Sequence, residues 1–322
     1  MLVRRAATLA RLFLAVVAAG VCCRVLLYRN DSCWGCSAGP SSVQASVVVM
    51  GYSPKRRPGF DQILRAYAAS PYVASVTLLW NNAREDPPAV PVVEGASKIT
   101  VVRSKKNSLN NRYLTEQVTT DAVLTIDDDV VMDDELLHEM LRVWERNSDR
   151  VVGLDRRYFG VLDGQYYFHS SAVVGAYHVV AGKTMMFHRR FMALYKGYTE
   201  MHASVDSGEC RGCDDIAFCA FVSSATGRGP LAVLAHPGQR RELPSPEGVS
   251  DPQSGDDDEA WRARRTVCGH WLRNNFGTWP RLATEVPDVA MGRVRGFIYC
   301  CLCAFAAVLA RRDRKRSVQA QS

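Results

Sequence analysis

Residues 119–137, TTDAVLTIDDDVVMDDELL, place three consecutive aspartates (127–129) directly behind the short apolar run 122–126. Adjacent carboxylates repel one another, so a triplet of them at the end of an apolar segment calls for an explanation. The run AVLTI predicts a buried strand of a parallel sheet, which puts the triplet at the strand's carboxyl end. Open α/β sheets bind their ligands at that end, whereas the later acids at 133–135 are typical of a solvated helix start.

The residues around this strand alternate between strand-like and helix-like patterns. Strands are predicted at 45–52, 73–82, 99–104 and 122–126, and helices at 60–70, 110–117 and 133–147. Beyond them, 181–198 predicts a strand followed by a helix, and 213–227 predicts a helix that ends in glycine. Such a βαβ series predicts an α/β domain with a mostly parallel sheet.

The segment 236–260, HPGQRRELPSPEGVSDPQSGDDDEA, has few apolar residues and many proline, glycine and charged residues. This composition cannot bury enough apolar surface to order a chain. We therefore predict a long mobile loop without regular structure over 236–260.

The chain has 322 residues and a formal net charge of +7. Much of the positive charge lies in Arg4, Arg5, Arg11 and the RRDRKR block at 311–316. Both groups flank apolar runs, so the charge indicates membrane flanks and no nucleic-acid partner. Between the ends, a single large α/β domain is predicted over residues 45–285.

The N-terminus combines a basic start with an apolar run over residues 12–23. This pattern predicts a signal anchor over residues 1–30, followed by a stem at 31–44, although a cleaved signal peptide fits the same pattern.

A second apolar run, GFIYCCLCAFAAVLA at 296–310, precedes a basic tail at 311–322. It is shorter than the roughly 20 residues that cross a bilayer comfortably, so a span, an interfacial segment and a buried helix all stay open. If both ends span, the positive-inside rule places the domain between them in a lumen. Eleven cysteines also fit an oxidising compartment.

Two common explanations for an acidic motif do not fit residues 127–129. An EF-hand needs acids alternating along the loop and a glycine at the sixth position, whereas Val130, Val131 and Met132 follow here. A phosphate-binding P-loop is also missing, since GxxxxGK[ST] does not occur. What remains is a strand-end acid cluster that can hold a hard divalent cation bridging two phosphates.

Five motifs follow one another along the chain. They are VTLLWNN (76–82), KKNSLNNR (105–112), AVLTIDDD (122–129), GCDDIAFCAF (212–221) and RTVC (265–268). Through them the chain resembles the exostosin-like glycosyltransferases of family 64, with their N-acetylhexosaminyltransferase-like domain, over about residues 45–280. The resemblance implies a GT-A fold, in which a Rossmann-like, mostly parallel sheet is flanked by helices. It further implies a UDP-sugar donor and manganese as cofactor.

The resemblance assigns one group of residues to the nucleotide donor. These donor-binding residues are Arg56 (with Arg57 as the alternative), Asn81, Asn107, Arg112, Asp127, Asp128 and Arg265. In this set the amides would contact the nucleotide and the arginines would bind the diphosphate.

The same resemblance makes Asp129 the direct metal ligand, Asp215 the catalytic residue and Asp214 an acceptor-binding residue. It also implies a disulfide between Cys213 and Cys268. Without the other motifs, acids at 214 and 215 would be interpreted as complements to the helix dipole.

The implied reaction is a retaining, manganese-dependent transfer of an N-acetylhexosamine, or a hexose, from a UDP-sugar to a glycan or glycolipid acceptor. A covalent intermediate and same-face attack both stay open. The membrane-seeking ends predict a Golgi or endoplasmic reticulum membrane protein with a luminal catalytic domain, and a homodimer is left open. The alternatives are a non-catalytic nucleotide-sugar or glycan-binding protein of the same fold, and a GDP-mannose or sphingolipid glycosyltransferase.

Overall fold

The computed structural model describes residues 43–162, 165–169, 176–244 and 258–277. All of them belong to one unit, residues 41–287. The predicted anchor, the C-terminal apolar segment, the basic tail and nearly all of the predicted stem lie outside the described residues. Within the described part of the chain, every helix is too short or too polar to cross a membrane.

The described elements alternate between strands and helices along most of the chain. In order they are β1 (Ala45–Gly51), α1 (Arg57–Ala69), β2 (Val73–Trp80), β3 (Ile99–Arg103), α2 (Asn111–Leu114), β4 (Ala122–Asp127), β5 (Val130–Met132), α3 (Asp134–Glu145), β6 (Val152–Gly153), β7 (Arg156–Leu162), β8 (Gln165–His169), β9 (Val179–Val180), β10 (Thr184–His188), α4 (Arg190–Tyr195), α5 (Thr199–Ser207), α6 (Asp214–Thr226), β11 (Leu231–Ala232), β12 (Arg240–Glu242) and α7 (Asp258–Phe276).

Seven strands form the central sheet in the order β11–β6–β10–β4–β1–β2–β3. Its β4, β1, β2 and β3 are mutually parallel, and β10 is antiparallel to both β4 and β6. The prediction of a mixed α/β domain with a mostly parallel sheet is therefore confirmed.

The central strands are buried because both of their faces are covered. All seven residues of β1 are buried, as are the first five of β4. Uninterrupted Val, Leu and Ile runs are typical of strands covered on both faces. Helix α3 is amphipathic and is capped by Asp133, whose Oδ1 accepts a 2.8 Å hydrogen bond from the Leu136 amide. The strand predicted from AVLTI thus lies in the middle of the core and carries Asp127 as its last residue.

The antiparallel direction of β10 determines what lies at the end of β4. The amino end of β10 lies beside the carboxyl end of β4, and the Asp127 amide donates to the Lys183 carbonyl at 3.2 Å. The turn at residues 181–183, which precedes β10, is therefore next to the acid triplet. We call it the 181–183 turn.

The prediction that residues 236–260 form a loop without structure is wrong in two places. Residues Arg240–Glu242 form β12, which pairs antiparallel with β5, and α7 already begins at Asp258. A strand's pairing uses backbone groups, so charged side chains do not prevent it at an exposed edge. Residues 245–257 lie outside the described part, and the predicted mobility stays a prediction there.

Other elements were shorter than predicted or were not predicted at all. The helix predicted at 110–117 is confined to α2, because Thr115 is already extended, with φ −66° and ψ 140°. The antiparallel hairpin of β7 and β8 and the helix α7, which carries the RTVC motif, were not predicted.

Candidate active site

A cavity of about 250 Å³ lies where the ends of β1 and β4, the 181–183 turn, the start of α6 and helix α7 meet. Eight of the residues that sequence analysis selected line it. They are Arg56, Arg112, Asp127, Asp128, Asp129, Asp214, Asp215 and Arg265. The cavity thus lies at the carboxyl end of the parallel strands, which is where the acid triplet predicts a ligand site.

The acid triplet is positioned by the end of β4 and by β12. Asp128 is buried and forms an ion pair with Arg56, and the Asp129 carbonyl accepts from the Leu243 amide at 2.6 Å. Burial raises the pKa of Asp128 to about 7; the charges of Asp127 and Asp129 also raise it, and Arg56 opposes the shift. Burial likewise raises the pKa of Asp129.

Two oxygens of this triplet are buried without a hydrogen-bond partner among the described residues: Oδ2 of Asp128 and Oδ1 of Asp129. Buried carboxylate oxygens without partners are costly, so they mark a place for a ligand. Across the described ranges, however, no group of three or more His, Cys, Asp or Glu side chains is arranged as a ready metal site.

Of the two arginines proposed after β1, Arg56 ends the 3-10 turn Pro54–Arg56, and its buried guanidinium forms an ion pair with Asp128. Arg56 thus lies in the cavity lining beside the acid triplet, and its assignment to the donor stays a prediction.

Arg112 connects the acid triplet to the start of α6. Its Nη1 lies 2.9 Å from Asp127 Oδ1 and donates to the Gly182 carbonyl at 2.7 Å, and its Nε lies 3.3 Å from Asp214 Oδ2. Although burial alone would lower the pKa of Arg112, the charges of Asp127 and Asp214 raise it, so the guanidinium stays charged.

Asp215 is held on both of its oxygens. Arg265 donates to Oδ1 and Oδ2, the Gly182 amide donates to Oδ2 at 3.2 Å, and the Ile216 amide donates to Oδ1 at 2.8 Å. The Arg265 guanidinium lies over the rings of Trp261 and Phe168, at 4.5 and 5.0 Å from their centroids. The hairpin and α7, both absent from the predictions, therefore fix the orientation of Asp215.

Asp214, its neighbour, points to different partners. Its Oδ2 accepts from Tyr113 at 3.3 Å, and the ring of Tyr113 stacks on Phe218 with centroids 4.1 Å apart. Burial raises the pKa of Asp214 to about 6; Asp215 adds to the shift and Arg112 opposes it. The two acids of the CDD motif thus belong to two different ion-pair networks.

Two predicted nucleotide contacts lie away from the cavity lining. Asn81 is buried: it donates to the Ser108 carbonyl at 3.1 Å and accepts from Asn111 at 2.8 Å. Asn107 is exposed on the loop before α2. Their assignment to the nucleotide stays a prediction.

Cys213 and Cys268 are both buried thiols in the structure. The thiol of Cys268 lies within hydrogen-bonding reach of both Cys210 and Cys213, and burial raises the pKa of Cys268. The Cys213–Cys268 bridge that the resemblance implies is not formed here and stays a prediction for oxidising conditions.

Among the lining residues that were not selected from the sequence, four bear on the chemistry of the cavity. They are Arg157, Trp261, Gly182 and Lys183. Arg157 carries a buried Nε without a hydrogen-bond partner among the described residues, and burial lowers its pKa. Gly182 is required because a Cβ at this position would lie 3.0 Å from Arg112 Nη1. These four residues come from the hairpin, the first part of α7 and the 181–183 turn, and none of them belongs to one of the five sequence motifs.

A family model and the curated relatives of this chain point to the same family. Residues 45–287 match the model of the glycosyl transferase family 64 domain. Glycosyltransferase family protein 64 C3 of Arabidopsis thaliana is 30% identical over 318 residues, covering 90% of this chain and 96% of that protein. Exostosin-2 of Mus musculus is 26% identical over 262 residues, covering 76% of this chain. The Exostosin-like-3 homolog of Caenorhabditis elegans is 28% identical over 165 residues, covering 50% of this chain.

The chain spans 34% of the mouse exostosin and 20% of the nematode protein. It is therefore similar to one part of these longer proteins and to almost the whole of the Arabidopsis protein.

Proposed function

The chain belongs to glycosyl transferase family 64 and is a glycosyltransferase; from this premise we propose a retaining, manganese-dependent transfer of an N-acetylhexosamine, or a hexose, from a UDP-sugar to a glycan or glycolipid. The mixed α/β domain with its mostly parallel sheet fits a GT-A-like fold. The exostosin names belong to longer proteins, so their whole activities are not transferred to this chain.

One observation carries the proposal. Arg112 joins the acid triplet to the acids of α6 in a single cavity, with Asp127 at 2.9 Å on one side and Asp214 at 3.3 Å on the other. One wall is thus suited to a cation and a diphosphate, and the opposite wall carries Asp215 for the sugar carbon. A transfer reaction needs these two functions to lie next to each other.

The triplet has the chemistry of a divalent cation site. Asp128 Oδ2 and Asp129 Oδ1 are buried and lack hydrogen-bond partners within the described ranges. Carboxylate oxygens are preferred ligands of hard cations. In the proposed site, Asp129 would hold manganese directly and Asp128 would support it. Bound there, manganese would supply positive charge to the departing diphosphate.

Arg112 and Arg265 are proposed as the arginines of the donor phosphates. The contacts of Arg112 with the residues that the structure describes use Nη1 and Nε, so we assign Nη2 to the diphosphate. A diphosphate leaves without being protonated, so the reaction needs no general acid.

Asp215 is proposed to stabilise the positive charge that develops on the sugar carbon. Both of its oxygens already accept hydrogen bonds from Arg265 and from backbone amides. A carboxylate held in this way is a weak nucleophile but a well-oriented negative charge. The arrangement therefore favours same-face attack, with Asp215 as an electrostatic stabiliser, over a covalent intermediate on this residue.

The acceptor side is proposed to include Asp214 and Arg157. The membrane-seeking ends of the sequence support a luminal domain in the Golgi or endoplasmic reticulum, close to glycolipid acceptors. Asp214 and Arg157 both line the cavity, which supports their place on the acceptor side.

UDP binding tests the proposal directly. We expect the purified wild type to bind UDP in the presence of manganese, and Asp129→Ala to lose that binding while keeping the thermal stability of a folded protein. The matched control is Asp121→Ala, since Asp121 is an exposed carboxylate at the opposite end of β4. Wild-type UDP affinity in Asp129→Ala would remove the metal assignment.

A donor screen separates the proposed donor from the alternative donors. Hydrolysis of UDP-GlcNAc, UDP-GalNAc, UDP-glucose and GDP-mannose is compared with and without manganese, and UDP-sugars are expected to be preferred. A preference for GDP-mannose would move the chain to the sphingolipid alternative. Binding without any turnover would support a non-catalytic protein.

A further inference from the structure

The cavity lining contains five cationic side chains, and three of them are fixed by short buried ion pairs. These three are Arg56 with Asp128, Arg112 with Asp127, and Arg265 with Asp215. Each of the three guanidiniums is at most 7% exposed. Their positions are therefore set by protein carboxylates before any ligand arrives.

Lys183 has a different environment. Its side chain is 32% exposed, and its Nζ lies 4.0 Å from Asp129 Oδ2 and 2.9 Å from Glu242 Oε2. A separation of 4.0 Å is too long for a hydrogen bond, so the ammonium is hydrogen-bonded to Glu242 and only attracted by Asp129. Lys183 thus places a positive charge beside the acid triplet without a hydrogen bond to Asp129.

The backbone of Lys183 is fixed although its side chain is not. Its carbonyl accepts from the Asp127 amide at 3.2 Å, which anchors the residue at the end of β4. Glu242 lies on β12, and the amide of the next residue, Leu243, donates to the Asp129 carbonyl. Since both carboxylates flank the same end of the cavity, the long lysine side chain can move between them by rotating its own torsions.

The carboxylate of Asp129 is only partly neutralised by its surroundings. Asp129 Oδ1 is buried and has no hydrogen-bond partner among the described residues. The lysine therefore leaves an oxygen for a cation, and the two positive charges can share this end of the cavity. An ammonium is a compact point charge with three donors, suited to the several oxygens of a diphosphate.

We propose that Lys183 binds the donor diphosphate as a built-in positive charge beside the divalent cation, and that Glu242 holds its ammonium aside while the donor is absent. The inference rests on the proposed donor site. It adds a diphosphate-binding residue that the sequence motifs do not contain. Two consequences follow: the chain binds a diphosphate weakly even without a divalent cation, and Lys183 repels a cation that arrives alone.

Binding measurements on the full chain in EDTA test the first consequence, with inorganic pyrophosphate and UDP as probes. Replacing Lys183 by Met removes one charge-assisted contact, so both probes are expected to bind about tenfold more weakly to Lys183→Met. Glu242→Gln is expected to tighten binding, because the ammonium is no longer held aside. Lys196→Met is the matched control, since Lys196 forms an exposed pair with Glu116 far from the cavity.

Manganese binding without nucleotide, followed by electron paramagnetic resonance, tests the second consequence. Lys183→Met is expected to bind manganese about fivefold more tightly than the wild type, because a like charge about 4 Å from the ligand is gone. Glu242→Gln is expected to bind it more weakly. Thermal unfolding checks that each variant is folded.

The two proposals fail in different ways. If pyrophosphate and manganese bind equally to wild type and Lys183→Met, the role of Lys183 is overturned while the donor site stands. The same holds if the wild type binds no pyrophosphate in EDTA. If pyrophosphate and manganese show the expected changes but UDP never binds, the proposed donor fails and Lys183 remains a diphosphate-binding residue.

Discussion

At the scale of single residues, Asp214 and Asp215 are neighbours in the chain with separate partners. Asp215 is held by Arg265, whereas Asp214 contacts Arg112 and Tyr113. From the sequence alone both resembled acids that complement a helix dipole, because nothing local distinguishes them. Only the distant residues that each one meets give them different roles.

We predict that Asp215→Asn binds a UDP-sugar as the wild type does but transfers it at least about a hundredfold more slowly, a loss of about 3 kcal/mol of transition-state stabilisation. The amide keeps the shape of the side chain and removes the charge near the sugar carbon. Separate determination of kcat and KM checks the prediction.

Asp214→Asn serves as the comparison, and it is expected mainly to raise the KM for the acceptor. Equal, small losses in both variants would leave the enzyme without an identified catalytic residue.

The pKa of Asp214 gives a prediction on stability. Because burial raises this pKa from 3.8 to about 6, the folded chain binds the proton more tightly than the unfolded chain does. This contribution to stability is therefore fully present below about pH 4 and is lost as the pH rises through about 6. The free energy of unfolding of the wild type, relative to Asp214→Asn, should fall by roughly 2–3 kcal/mol between pH 4 and pH 7.

Urea unfolding at several pH values provides the measurement. Taking the difference between wild type and variant removes the contributions of carboxylates that do not interact with Asp214. A difference that stays constant over this pH range contradicts the prediction.

At the scale of elements, sequence periodicity predicted the elements that build the parallel part of the sheet. β1, β2, β4, α1 and α3 have uninterrupted or amphipathic apolar patterns that depend only on local sequence, and each was found close to its predicted bounds. The hairpin of β7 and β8 and the helix α7 lack such patterns. Their formation depends on contacts between residues that are far apart in the sequence. One example is the Phe168 amide, which donates to Thr266 Oγ1 at 2.9 Å.

The candidate site was predictable to the same extent. Residues at the end of β4 and the start of α6 belong to motifs, so they could be found by resemblance. Lys183 and Trp261 enter the cavity because β10 is antiparallel to β4 and because α7 packs on the hairpin. No local pattern in the sequence predicts the direction of β10 or the packing of α7 on the hairpin.

We predict that Cys268 is bridged to Cys213 in protein recovered from an oxidising compartment. The bridge would tie α7 to the start of α6 and stabilise the fold by a few kcal/mol in the loop-entropy model. Peptide mapping by mass spectrometry without reduction provides the measurement.

Cys210 makes this a demanding test, since its thiol also lies within hydrogen-bonding reach of Cys268. Recovery of a Cys210–Cys268 bridge, or of free thiols at 213 and 268, contradicts the predicted pairing.

At the scale of the whole molecule, the described domain lies between two apolar ends that the sequence assigns to a membrane. We predict that the full chain stays in the membrane fraction after alkaline carbonate extraction, and that residues 45–285 resist protease in sealed microsomes. The reason is the pattern of apolar runs flanked by basic residues at both ends.

Detergent, which opens the microsomes, is the control and should make the domain accessible to protease. A companion chain that ends before residue 296 reports whether the second apolar run contributes to anchoring. Release of the full chain by carbonate contradicts the predicted anchor.

The pairing of Asp215 with Arg265 also determines when the cavity can form during synthesis of the chain. The two residues are 50 positions apart, and Arg265 is the last of the cavity's residues to be synthesised. At about 5–20 residues per second, translation therefore leaves Asp215 without its partner for several seconds after it is made. The described cavity therefore cannot be completed on a growing chain before α7 has been made, so we expect transferase activity to appear only after Arg265 has been synthesised and α7 has folded.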